Sequence, residues 1–159
     1  MAVPSTASAA APLDRRAARV LLVDDARRVL LFRGHDPARP DEGSWWFTVG
    51  GGLDDGETTR AAAVRELFEE TGLVVDVDAL EGPVHREVAE FSLAGTRYRQ
   101  DNEFFVARVA AHDVVTGGFT DFETQFVLEH RWWSAEELRS TRDTVYPESL
   151  VALLEQIGA

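Results

Sequence analysis

The sequence predicts an α/β protein with a mixed central sheet flanked by helices. Three observations predict it. Apolar runs of strand character and segments with helix caps intermingle along the chain. They do not follow the strict β-α-β alternation of an all-parallel sheet. The 159 residues, 45% hydrophobic and 28% charged, suffice for one domain with its own core.

Residues 1–14, MAVPSTASAAAPLD, are rich in Ala, Ser and Pro and are expected to form a flexible tail ahead of one domain over 15–159. The stretch lacks the basic and apolar regions of a secretory signal. RAARVLLVDDARRVLLFRG reads as two strands about a turn at Asp24–Asp25–Ala26. Their apolar runs, Val20–Val23 and Val29–Phe32, are dense enough for burial on both faces. HDPARPDEGS is a loop, and WWFTV is a short strand running into Gly50, Gly51 and Gly52. The strongest helix spans Thr58 to Thr71 and stops at Gly72, the usual place for a left-handed cap. LVVDVDAL is expected to be a strand. VHREVAEFSLAG and TRYRQDNEFFVARV form a long hairpin turning near Ala94–Gly95. AAHDVVTGGFTDFETQ reads as a loop with a short helical turn, and FVLEHRWW as a further strand. Ser134, with Glu137 three residues on, caps a helix. Pro147 suits the first turn of a last helix ending near Ile157.

Composition excludes several function classes. A formal net charge of -12 disfavours a nucleic-acid polymer as partner. A small anionic substrate needs accompanying cations to approach such a chain. The absence of cysteine removes disulfides and thiolate metal sites and favours a cytoplasmic setting. No apolar run approaches the roughly 20 residues of a membrane span.

The segment GGLDDGETTRAAAVRELFEETGL, Gly51 to Leu73, concentrates the chemistry. With Val64 at the origin of a helical wheel, Leu67, Phe68 and Thr71 fall within about 60° of it, on a core stripe. Glu66, Glu69 and Glu70 cluster on the opposite side. A solvated acidic face is the ordinary explanation of such a run. Against it, Glu66 and Glu70 are a repulsive i,i+4 pair, and acids late in a helix oppose its dipole. A hard divalent cation would neutralise them, and the glycine run can aim a backbone carbonyl at the same ion. Glu57 and Arg65 are placed to form an ion pair tying loop to helix.

This segment resembles the Nudix box, G-x5-E-x7-R-E-U-x-E-E-x-G-U with U a bulky aliphatic. Gly51, Glu57, Arg65, Glu66, Leu67, Glu69, Glu70, Gly72 and Leu73 fill its fixed positions. The resemblance implies the Nudix α/β/α sandwich. It also implies Mg²⁺- or Mn²⁺-dependent hydrolysis of a nucleoside diphosphate linked to another moiety X. Glu66, Glu69 and Glu70, with Gly51, would be metal ligands. The base varies across the family, and Glu123 or Glu103 is the candidate outside the box. Arg33, Arg86, Arg97 and Arg99 are candidate phosphate contacts, and Trp45, Tyr98 and Phe122 candidate base-stacking groups. Trp46, Trp132 and Trp133 read as core, and His35, His85, His112 and His130 show no metal-ligand spacing. Two rival readings stand beside the enzyme. A nucleotide sensor of the same fold is expected to lose box carboxylates, which this chain keeps. An isoprenoid diphosphate isomerase would want a cysteine, which it lacks. A homodimer agrees with the resemblance, but no interface is legible.

Overall fold

The protein was analysed as a computed structural model, which describes residues 11–159. In order it forms strand β1 (Leu13–Val23), β2 (Val29–Gly34), β3 (Trp45–Gly52), helix α1 (Thr59–Thr71), β4 (Glu81–Leu93) and β5 (Thr96–Arg108). Then come α2 (Asp121–Phe126), β6 (Val127–Trp133), α3 (Ala135–Ser140), β7 (Val145–Tyr146) and α4 (Leu150–Ile157). Of the expected tail, residues 1–10 lie outside the described residues. Leu13 and Asp14 are already in β1, paired with Tyr98 and Arg99.

All seven strands join one mixed sheet of order β4-β5-β1-β2-β3-β7, with β6 paired to β2. β1 organises it. Leu13–Val23 runs parallel to β5 along its whole length, while Ala17–Val20 pair antiparallel with Val49–Gly52 of β3. The two expected apolar runs are buried, each residue at 2% exposure or less. Their alternation feeds two cores. Ala18, Val20 and Leu22 pack with Ala62, Ala63 and Leu67 of α1. Leu21 and Val23 pack on the other side with Leu138 of α3 and with Leu150, Leu153 and Leu154 of α4. The sheet is therefore sandwiched between helices, as the sequence predicts.

Local signals hold where a side chain bonds its own backbone. Thr58 caps α1 by accepting from the Ala61 amide, and Gly72 ends it in the left-handed region, donating to the Phe68 carbonyl. Ser134 and Glu137 form the expected capping box at α3. The hairpin turns at Ala94 and Gly95, both at positive φ.

Three expectations are corrected. LVVDVDAL is not a strand: its valines and aspartates alternate, but Asp76 accepts from the Asp78 amide and draws Val77–Ala79 into a 3-10 turn. Pro147 follows β7 rather than opening α4, whose cap position is Ser149. On α1 the wheel was drawn by apolarity alone. Phe68 is 57% exposed, whereas Glu66 and Glu70 are 6% and 4% exposed beside Leu67. The inward face is Ala62, Ala63, Glu66, Leu67, Glu70 and Thr71, spaced by fours. Among the described residues no helix is long and apolar enough to cross a membrane.

Candidate active site

The inward carboxylates of α1 meet the glycine run of β3. The Gly50 amide donates to Glu70 Oε2 at 3.0 Å. A Cβ on Gly51 would stand 2.6 Å from Glu66 Oε1, so the missing side chain is the room that Glu66 occupies. From the other wall comes Glu123, at the start of α2. One oxygen each from Glu66, Glu70 and Glu123 lie within 4.8 Å of one another. Burial pushes both Glu66 and Glu70 above the ordinary carboxylate range, Glu70 well above it with the charge of Glu66 added, while Arg65 opposes the rise at Glu66.

Cations hold this group from behind. Arg65 donates from Nε and Nη2 to both Glu57 oxygens at 2.8 Å, the expected ion pair. Its remaining bonds run to Glu66 at 3.0 Å, Glu69 at 3.1 Å and the Gly52 carbonyl at 3.0 Å. That fork holds Glu57 below its usual range and lifts Arg65. Glu69 thus points to Arg65 and stands outside the trio. Arg19 lies beneath the turn, donating to the Thr48 carbonyl at 3.2 Å and the Gly50 carbonyl at 3.0 Å. Burial lowers its pKa, and Glu70 opposes the shift.

Glu123 is placed by local and long-range contacts. Thr120 and Glu123 close a capping box on α2. Upstream, the Val115 amide and His112 Nε2 both donate to the Thr71 carbonyl, at 2.9 and 2.8 Å. Gly118 lies flat on α1, where a Cβ would approach the Glu69 carbonyl oxygen to 2.5 Å. Gly118→Ala is therefore expected to lift this segment and displace Glu123. The expected loss in kcat is about tenfold to a hundredfold, with Tm within a few degrees of wild type. Steady-state kinetics beside a thermal melt check it, and unchanged kcat would remove Gly118 from this role.

The carboxylates sit at one end of a cleft of about 530 Å³. Its apolar lining includes Trp45, Phe47, Phe91, Phe119, Phe122 and Phe126. Phe122 and Phe126 stack at 5.9 Å, and Trp45 meets Phe126 at 5.8 Å. Of the expected stacking groups, Trp45 and Phe122 line the cleft. Tyr98 does not; it packs on Phe91 at 5.4 Å and beneath Arg15 at 5.6 Å.

The expected phosphate arginines are not in the cleft lining. Arg33 pairs with Glu129, Arg86 with Asp101, and Arg99 with Asp14. Strand alternation is the reason: on β5, Gln100 and Asn102 line the cleft, and Arg97 and Arg99 project to the opposite face. Glu103 pairs with Arg16 at 3.7 Å and lies outside the cleft too. Arg15, Arg19, Gln100 and Asn102 take those places, and the sequence reading missed them. The available signal was polar residues alternating into an apolar strand, Gln100-x-Asn102-x-Phe104. Trp46 and Trp133 are core, in edge contact at 5.0 Å. His85 lies 3.3 Å from Glu87, and His130 packs against Phe32.

Residues 13–154 match the family model of the NUDIX domain. An RNA pyrophosphohydrolase of Erythrobacter litoralis (strain HTCC2594) is 36% identical over 132 residues, 78% of this chain and 78% of that protein. Among solved structures, the fold resembles the MutT protein from Methanosarcina mazei Go1, with a TM-score of 0.62 and 18% identity over 94% of this chain and 96% of that one. The E. coli dihydroneopterin triphosphate pyrophosphohydrolase gives a TM-score of 0.62 at 23% identity, covering 92% and 99%. At these identities the two structures speak for the fold.

Proposed function

The chain belongs to the Nudix family as one of its pyrophosphohydrolases, and from this we propose that it hydrolyses, with a divalent cation, the pyrophosphate bond of a small nucleoside diphosphate linked to a moiety X. That class takes in nucleotide sugars, dinucleotides and nucleoside triphosphates. The observation that carries the reading is the convergence of Glu66, Glu70 and Glu123 at the end of the cleft. Oxygen donors this close, with burial and repulsion raising two of them, fit a hard cation such as Mg²⁺ or Mn²⁺.

Glu66 and Glu70 would hold the ion, with the Gly51 carbonyl and, on turning from Arg65, Glu69 as the further donors of the box. When bound, it would offset the charge of the pyrophosphate and polarise its P–O bonds. Glu123 faces the pair and takes the proton of the attacking water. One of its oxygens accepts from the Thr120 amide at 3.2 Å, which leaves the other for that proton. Arg65 keeps Glu66 oriented, and Arg15 supplies the positive charge on the cleft wall. The products are a nucleoside monophosphate and phosphorylated X, or inorganic pyrophosphate when the substrate is a triphosphate.

The relative from E. litoralis is named for RNA. A chain of net charge -12, with Glu87 and Glu90 also lining the cleft, supports a small nucleotide instead. The test is incubation with Mg²⁺ and a panel of dinucleotides, nucleotide sugars and triphosphates, followed by product release. Turnover of at least one, abolished by a chelator, is expected. Tight binding of one member with turnover of none would convert the reading to a nucleotide sensor.

A further inference from the structure

The cleft contains a polar side chain whose hydrogen bonding is incomplete. Gln100 lines the cleft and is 2% exposed. Its Nε2 donates to Asn102 Oδ1 at 2.7 Å. With that bond made, Oε1 is enclosed and has no partner. An enclosed acceptor without a donor is costly to keep, and an apolar side chain of the same volume would avoid the cost.

The surroundings point to what would satisfy it. In the sheet Gln100 stands between Ala89 on β4 and Arg15 on β1, and Asn102 stands beside Ala17. These alanines leave space where larger side chains would fill the floor. Phe91 and Phe122 line the same cleft and offer apolar walls for a flat ring. Arg15 leans toward the glycine run, its Nε 2.8 Å from where a Gly52 Cβ would be, and that nitrogen also lacks a partner. Along β1, Arg19 stands opposite Gly50 and Arg15 beside Gln100, the two positions about 13 Å apart along the strand at about 3.3 Å per residue. Carboxylates, guanidinium and amide thus line one cleft, as the phosphates and the base of a single nucleotide would require.

We propose that Gln100 reads the nucleobase: its Oε1 accepts an N–H from the pairing edge of the base once the amide has turned from Asn102 into the cleft. The inference rests on the pyrophosphohydrolase reading and adds to it a contact with the base, which the N–H groups on the pairing edges of the common bases can supply. The oxygen is covered in the ligand-free chain. Rotation about the glutamine's own side-chain bonds turns it into the cleft as the base enters and relieves its unpaired state.

The test is binding of AMP, CMP and GMP against purine riboside 5′-monophosphate, measured by calorimetry with Mg²⁺ present; none of the four has a pyrophosphate bond to be cleaved, and failure of all of the first three to bind overturns the proposal. The last probe is AMP without its amino group and carries no N–H on its ring edge. Wild type is expected to bind at least one of the first three about tenfold or more tighter than the donor-free probe. Gln100→Glu keeps an acceptor and should keep the preference. Gln100→Met should bring the probes within about twofold of each other, with Tm within a few degrees. Equal binding by wild type, or a preference surviving in Gln100→Met, overturns the proposal. Should Gln100→Met not fold, the wild-type comparison still decides. Turnover of the nucleotide panel in the same preparation separates the two readings. Turnover with no discrimination by wild type removes the role of Gln100 alone. Discrimination with no turnover removes the hydrolase reading alone.

Discussion

Glu70→Gln is expected to lower kcat by about two to three orders of magnitude while the domain stays folded. Glu70 is 4% exposed, and its Oε2 accepts the Gly50 amide at 3.0 Å. A glutamine keeps that carbonyl oxygen, so the junction of α1 with β3 survives. What is lost is the negative charge that would bind the cation. pH separates the two roles. Burial, and next the charge of Glu66, raise the pKa of Glu70 well above the usual value. The affinity of the wild type for Mg²⁺ should therefore climb with pH above the ordinary carboxylate range as Glu70 loses its proton, and that of the variant, which keeps only Glu66 raised, should climb less. Stability runs the other way. A carboxyl whose folded pKa is raised contributes stability present below its unfolded pKa and lost as pH rises through the folded one. The metal-free wild type should lose Tm over that interval, and Glu70→Gln should lose less. Activity within a few-fold of wild type would refute the assignment.

Leu67→Asp carries the largest expected effect on stability. Leu67 is fully buried in the cluster formed by β1, β2, β5 and α1. A carboxylate there is buried among apolar side chains and forfeits the packing, a loss of about 4 kcal/mol or more. For a chain of this size that is a fall in Tm of about 10 °C or more, or failure to fold. Phe68→Asp is the control, because Phe68 is 57% exposed and its replacement should shift Tm by little. Thermal melts of both variants distinguish the observed inward face of α1 from the apolar stripe of the helical wheel. An unchanged Tm for Leu67→Asp would overturn that packing.

The wheel failed at Phe68 and Glu66 for one reason. It ranks side chains by their preference for water, and a binding site inverts that preference. Glu66 and Glu70 are buried because Gly50 and Gly51 leave room and an amide for them, and because Arg65 faces Glu66. LVVDVDAL failed differently: an Asx turn at Asp76 outcompeted a strand pattern that had no neighbour to pair with. Glu123 was legible as a candidate base, on a par with Glu103, but not as a neighbour of Glu66. Its place beside Glu66 depends on Val115, His112 and Gly118 resting on the end of α1, contacts across about forty positions or more of chain.

By itself the sequence determined the mixed α/β class, strands β1 to β6 of the central sheet though not β7, the caps of α1 and α3, and the acidic helix with its Glu57–Arg65 tie. Each of these is written in spacings of a few residues, where backbone geometry alone relates one side chain to the next. Only the tertiary structure decided that Arg15, Gln100 and Asn102 line the cleft, that Arg97 and Arg99 point away from it, and that Glu123 rather than Glu69 completes the carboxylate trio. The physical reason is register. A one-residue shift between neighbouring strands sends every side chain to the other face, and that shift is set by pairings between distant segments.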